Sequence, residues 1–167
     1  MIKWISGVLA ALLPLAAAHA DTGAVAVPKG AKLLLSAGAD GVQVYACTGG
    51  DKGFSLVFKA PEAVLFDADG RQILTHFAGP SWKEPDGTTL VGEVVAKADA
   101  PMPGAIPWLL LHAKSREGAG LLSKADFIRR IDTKGGLAPA TGCEAAHAGQ
   151  EARMRYSAVY EFYQAGE

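Results

Sequence analysis

The sequence predicts an all-β fold, a single-domain β-sandwich or barrel-like structure with few or no helices. Apolar residues alternate at period two through stretch after stretch. Gly, Pro and Asp-Gly turn signals separate those stretches at intervals of roughly 8–14 residues, the spacing of sandwiches and barrels. Only "GLLSKADFIRRI", Gly120 to Ile131, could hold a helical turn, and the glycines just before it make a loop equally plausible.

Residues 1–20 read as a targeting segment rather than as part of the fold. Lys3 supplies the positive start, Trp4 to Ala17 form an apolar run, and "AHA" at Ala18 to Ala20 places small residues for a cut before Asp21. The run is shorter than the roughly 20 residues a membrane-spanning helix needs. A cleaved signal peptide over 1–20 and one β-rich domain over 21–167 is the expected organisation, with a periplasmic or secreted destination.

The strands follow in order. "GVQVYAC", Gly41 to Cys47, sets Val42, Val44 and Ala46 on one face and Gln43, Tyr45 and Cys47 on the other. "FSLVFKAPEAVLFDADGRQILTHF" reads as strands broken by Pro61 and turned at Asp69-Gly70. "TTLVGEVVAK" follows Asp86-Gly87, and "IPWLLLHA" follows Pro103-Gly104. In the latter, Trp108 to Leu111 is apolar on both faces, as expected of a doubly covered strand. Near the end, "MRYSAVYEFYQ" puts Met154, Tyr156, Ala158, Tyr160 and Phe162 on one face.

Charge narrows the partners. Without Lys3, Lys+Arg falls from 16 to 15 against 17 acids, a net charge near −2. The longest basic clusters are pairs such as Arg129-Arg130, too small to displace the counterions of a nucleic acid. No basic amphipathic helix offers itself to a membrane surface, and no span is expected after cleavage of the leader. Oligomeric state is not legible.

Cys47 and Cys143 remain after cleavage. In an exported chain an even count suggests a disulfide, and two cysteines allow one pairing. Neither belongs to a Cys-x-x-Cys, and no Cys or His stands at zinc-finger spacing, so a bridge is favoured over buried thiols or a metal site.

The blocks "GVQVYAC", "HFAGPSW" with "DG" shortly after, "IPWLLL", "TKGGLAPATGC" and "YSAVYEFY" occur in the order found in domain-of-unknown-function family 3455, which the chain resembles from roughly Gly41 to Tyr163. The resemblance implies a compact domain behind a signal peptide, in the periplasm or outside the cell. It implies no established activity and supplies no catalytic residues. A malate dehydrogenase label carried by some fungal relatives finds no support in these residues. "GAGLLS", Gly118 to Ser123, has Ser where a dinucleotide fingerprint needs its third glycine, and it follows no strand opening into a phosphate-binding helix.

The chain carries little recognisable catalytic chemistry. There is no Gly-x-Ser-x-Gly elbow and no His-Glu-x-x-His, and no cofactor motif. His76, His112 and His147 are widely spaced and define no metal set. Asp67, Asp69, Glu84 and Asp86 could supply paired carboxylates for glycoside chemistry, yet Asp67 and Asp69 flank a turn, where Asp is expected to cap nearby N–H groups.

One stretch combines a titratable ring, a large aromatic and stiffening prolines: "HFAGPSWKEPDG", His76 to Gly87. With Ile73 and Phe77 toward the core, His76 falls on the opposite, partly exposed face. One reading is a ligand-facing lip of His76, Trp82 and Asp86. The other is a rigid crossover whose tryptophan caps the core. Trp108 and the C-terminal aromatic row read as core. Arg130 is either structural glue, tied to Asp132 or a nearby carbonyl, or an anion contact. Three function classes follow. The leading one is a module binding a small apolar or carbohydrate-like ligand. The alternatives are a structural or interaction protein, and an enzyme of unrecognised type using His76. An enclosed pocket at His76 and Trp82, and the identity of the groups bonded to His76, discriminate among them.

Overall fold

The computed structural model describes residues 23–166, so the leader-like segment and the cut before Asp21 lie outside the described residues. Eight strands run β1 (Lys32–Gly50), β2 (Gly53–Phe66), β3 (Gln72–Phe77), β4 (Ser81–Lys83), β5 (Thr89–Ala98), β6 (Trp108–Glu117), β7 (Phe127–Gly135) and β8 (Glu151–Gln164). Each pairs antiparallel with the next, and β8 returns to β1 from Lys32↔Gln164 to Ala46↔Glu151. The fold is all-β and, of the two architectures the sequence allows, it is the closed barrel. The described residues hold no α-helix, only three short 3-10 turns; one of them, Leu121–Lys124, falls inside the stretch where the sequence permits a helical turn.

The inward row of each strand makes the core. Leu65, Leu74, Leu90, Leu111, Ile128 and Phe162 are among the side chains that fill it. The row on β8 is the one the alternation predicts: Tyr156, Ala158, Tyr160 and Phe162 are buried, with Met154 partly so. β6 is covered on both sides, as its sequence requires. Leu111 points in, while Trp108 and Leu110 point out and are sealed by Val25 from the 3-10 turn Gly23–Val25. Elsewhere the outside carries ion pairs, Arg153 with Glu62, Arg155 with Asp40 and Lys59 with Glu151, beside exposed apolar side chains such as Leu33, Val57 and Val95. No helix among the described residues is long and apolar enough to cross a membrane.

Two sequence expectations need correction. Pro61 does not break its strand: β2 runs through it, paired with Gln43 of β1. β3 meets β2 only at Ala63–Phe66, so at Pro61 the strand is paired on one side and tolerates proline as an edge strand does. Nor is "HFAGPSWKEPDG" only a loop or crossover. It closes β3 with a tight turn, in which the Gly79-Pro80 peptide is cis, and returns at once as β4. Gly79 sits at φ 137°, and a Cβ there would lie 2.2 Å from the Ser81 hydroxyl, so only glycine fits.

The two ends of the barrel differ. At the end holding the β2–β3, β4–β5 and β6–β7 connections, Leu122 and Ala125 fold under and are fully buried. Glu84 holds this plug by accepting the N–H groups of Leu121 (3.2 Å) and Leu122 (2.9 Å), and the Thr88 hydroxyl accepts that of Gly120 (2.8 Å). At the opposite end the long β7–β8 connection is strapped to the tip of β1 by the Cys47–Cys143 disulfide, with Cα atoms 5.3 Å apart.

The bridge joins residues 96 apart in sequence, so it removes much of the unfolded chain's freedom. Replacing both cysteines by serine should cost on the order of 4 kcal/mol in a chemical denaturation curve, the chain-entropy figure for such a loop. Thiol counting on denatured, unreduced protein should find none.

Candidate functional site

The strapped end holds a half-open cavity of about 460 Å³. Its walls are mostly apolar, with Phe58, Pro61, Val94, Ile106, Leu109 and Leu137 supplying much of the surface. Phe58, Val94 and Leu137 are about half exposed and form the rim. Four polar side chains, Gln43, Tyr45, His76 and Arg130, are buried and line it from within, while Lys59 stands outside in its ion pair with Glu151.

Each inner group is placed by strand parity. Gln43 and Tyr45 lie on the inward face of β1, and Arg130 follows Ile128 on the inward face of β7. Tyr45 donates its hydroxyl to the Gly136 carbonyl at 2.6 Å. Gln43 is 3% exposed, and its amide nitrogen has no hydrogen-bond partner. Arg130 turns one edge to the Pro107 carbonyl, donating from Nε (3.2 Å) and Nη2 (2.8 Å). The carbonyl, not Asp132, is its tie.

His76 faces inward with Leu74, the reverse of the register expected from the sequence; it is Phe77 that is exposed. The cause lies across the ladder. His76 pairs with Trp82 of β4, and the two rings stack at 4.5 Å with 8° between their planes. Trp82 is fully buried, edge-on to Tyr160 and Phe162, and Gly92 of β5 gives it room, since a Cβ there would lie 3.0 Å from the indole. The imidazole must donate Nδ1–H to the Ser81 carbonyl (2.8 Å), so Nε2 is the acceptor and takes the Tyr160 hydroxyl proton (3.1 Å). Tyr156 stands behind Tyr160, with hydroxyl oxygens 3.5 Å apart.

Burial pulls His76 from its ordinary 6.5 down to about 4. The Ser81 carbonyl opposes that shift, and the Arg130 guanidinium adds to it. The ring is therefore neutral at physiological pH, wedged between an indole and a phenol.

Of the residues the sequence singles out, His76 lines the cavity and Trp82 backs it without reaching the wall. Asp86 is at the plugged end, where it accepts the Thr88 N–H (2.8 Å) as a turn residue. Asp67 likewise accepts the N–H groups of Asp69 and Arg71, each at 2.9 Å. The structure thus joins His76 to Trp82 and leaves Asp86 apart. It brings in Gln43, Tyr45, Leu109 and Ile106, which the sequence did not mark as a site. Only Gln43 carried a signal, as an amide sharing a face with Tyr45 and Cys47. His112 points outward beside Phe127, and no three His, Cys, Asp or Glu side chains among the described residues gather to hold a metal.

A family model described as protein of unknown function (DUF3455) matches residues 28–164. No curated protein and no solved structure matches the chain.

His76 gives the barrel an acid-sensitive wedge. The unfolded imidazole binds a proton near pH 6.5 and the folded one only near pH 4, so the unfolded state gains protons first as pH falls. Stability should therefore drop through that window, by on the order of 3 kcal/mol at its lower end. Denaturation midpoints measured from pH 7 to 4.5 should fall in the native protein and flatten in His76→Gln.

Proposed function

The chain belongs to the family described as protein of unknown function (DUF3455), whose name assigns no activity, and on that premise we propose from its cavity that the protein binds a small, predominantly apolar molecule. The observation that carries this reading is the cavity: about 460 Å³, within the usual size of small-molecule sites, apolar in most of its wall and supplied with a few buried polar groups. So sparse a polar lining favours an apolar ligand over a carbohydrate-like one, whose hydroxyls each need a partner.

The surroundings of His76 favour binding over catalysis. Its two nitrogens are bonded to a backbone carbonyl and a tyrosine hydroxyl, whereas a catalytic imidazole is oriented by a carboxylate and keeps one nitrogen for the substrate. The disulfide supports an oxidising destination, the periplasm or the cell exterior, and the leader-like first twenty residues point the same way. N-terminal sequencing of protein recovered from its own host should begin at Asp21; a chain retaining Met1 in the cytoplasm overturns that assignment.

Leu109 points into the cavity from β6, so Leu109→Trp fills the space without disturbing the plugged end. With a neutral fluorescent probe such as N-phenyl-1-naphthylamine, the native protein should bind and the filled variant should bind about tenfold more weakly or worse, a loss of at least about 1.4 kcal/mol. Its melting temperature should stay near the native one. Equal binding by the two proteins would place the probe elsewhere and remove the cavity as the site.

A further inference from the structure

We propose that the ligand is a single-chain amphiphile with a carboxylate head, taken head-first so that Arg130 and Gln43 receive the carboxylate and the chain lies toward the rim. The inference rests on the binding reading above and specifies its ligand class.

The first observation is an unpaired charge. Arg130 is 9% exposed and lines the cavity, yet no carboxylate among the described residues lies within ion-pair distance of it. The other arginines on β7 and β8 show the contrast: Arg129 pairs with Glu161 at 2.6 Å, and Arg153 and Arg155 have acidic partners too. Pro107 occupies the Nε and Nη2 edge of Arg130 and leaves the Nη1 donors without a partner. A buried guanidinium that keeps donors free inside a binding cavity is suited to a planar oxyanion.

The second observation is independent. Gln43, on a different strand, carries a buried amide nitrogen with no partner and lines the same cavity. An –NH₂ group is a donor, so it also asks for an acceptor. The neighbouring hydroxyls, Tyr156 beside Gln43 and Tyr45 bonded to Gly136, are neutral and bring no negative charge to match the guanidinium, and His76 Nε2 is taken by Tyr160.

Depth orders the rest. The donors are buried, whereas Phe58, Val94 and Leu137 are 52%, 47% and 44% exposed. A further exposed apolar side chain, Phe54, continues along the same face of β2 from Phe58 at the rim. A head held by Arg130 and Gln43 would leave its alkyl chain against the cavity wall and this apolar margin, which no free inorganic anion would use.

The test is displacement of N-phenyl-1-naphthylamine from the signal-free full domain at neutral pH by decanoate, decanol, decyltrimethylammonium and decyl phosphate. Decanoate should displace the probe at a concentration about tenfold below decanol or decyltrimethylammonium, the size expected of a charge-assisted hydrogen-bond pair. Arg130→Met should lose that preference, so that decanoate and decanol displace the probe at similar concentrations. Should Arg130→Met fail to fold, Gln43→Leu keeps the Arg130–Pro107 contact and should still lower the decanoate preference several-fold. Equal displacement by all four head groups, or a preference that survives both substitutions, overturns the head-group assignment while leaving the cavity reading intact. A clear preference for decyl phosphate overturns the carboxylate choice. If neither probe nor any amphiphile binds, the cavity reading itself fails, and this one with it.

Discussion

Everything in this molecule hangs on the return of β8 to β1. That ladder runs from Lys32↔Gln164 to Ala46↔Glu151 and turns an eight-strand meander into a barrel with no free edge. Closure makes the interior finite, and an eight-strand barrel is only wide enough for side chains or one small ligand. Side chains fill one end of this barrel, and the other keeps an open cavity. Leu122 and the large residues around Trp82 fill the plugged end, while the other is left to Ile106, Leu109 and Arg130 around open space. Register shifts at Val44/Tyr45, Val91/Gly92, Val94/Ala96 and Ile131/Lys134 bend the long strands as closure requires.

The aromatic wedge divides the two halves. Trp82 arrives on a strand of three residues, too short to be held by its ladder alone, and its burial against Tyr160, Phe162 and His76 holds it there. Stacking a histidine on an indole inside a barrel is stable only if the ring stays neutral and both nitrogens are bonded. Ser81 and Tyr160 meet that condition. The same bonds that let His76 be buried fix its ring in the cavity wall.

Much of this was legible in the sequence because it depends on local period. The β8 row, the doubly apolar β6 and the single cysteine pairing all follow from residues read in order. What was not legible depends on which way a short strand faces. In "RQILTHF" both faces carry apolar residues, so Ile73 with Phe77 and Leu74 with His76 are equally good cores on pattern alone. Only the cross-strand partner Trp82 decides, and β4 was hidden inside what read as a turn. Arg130 posed a different problem. Sequence offered Asp132 as a partner two residues on, but Asp132 takes φ 50° at a bulge and is exposed, away from the guanidinium's carbonyl tie. The cavity joins residues of β1, β2, β3, β5, β6 and β7, a set that no local window contains.

Arg130 is an inward charged side chain that a purely structural account leaves costly. Withdrawing a guanidinium from water costs several kcal/mol, and one neutral carbonyl returns only part of it. A leucine-sized residue at the same inward position would pack against Ile106 and Leu109 without that cost, as Ile128 does one step along the strand. The guanidinium also spreads its influence, adding to the suppression of protonation on His76 and opposing the burial that raises Tyr45 and Tyr156. A site built this way already holds its positive charge, its free donors and its apolar walls in place before any ligand arrives. Binding an oxyanion there would supply the missing half of an ion pair, so the cost of burying the guanidinium and the affinity for the ligand would have a single origin.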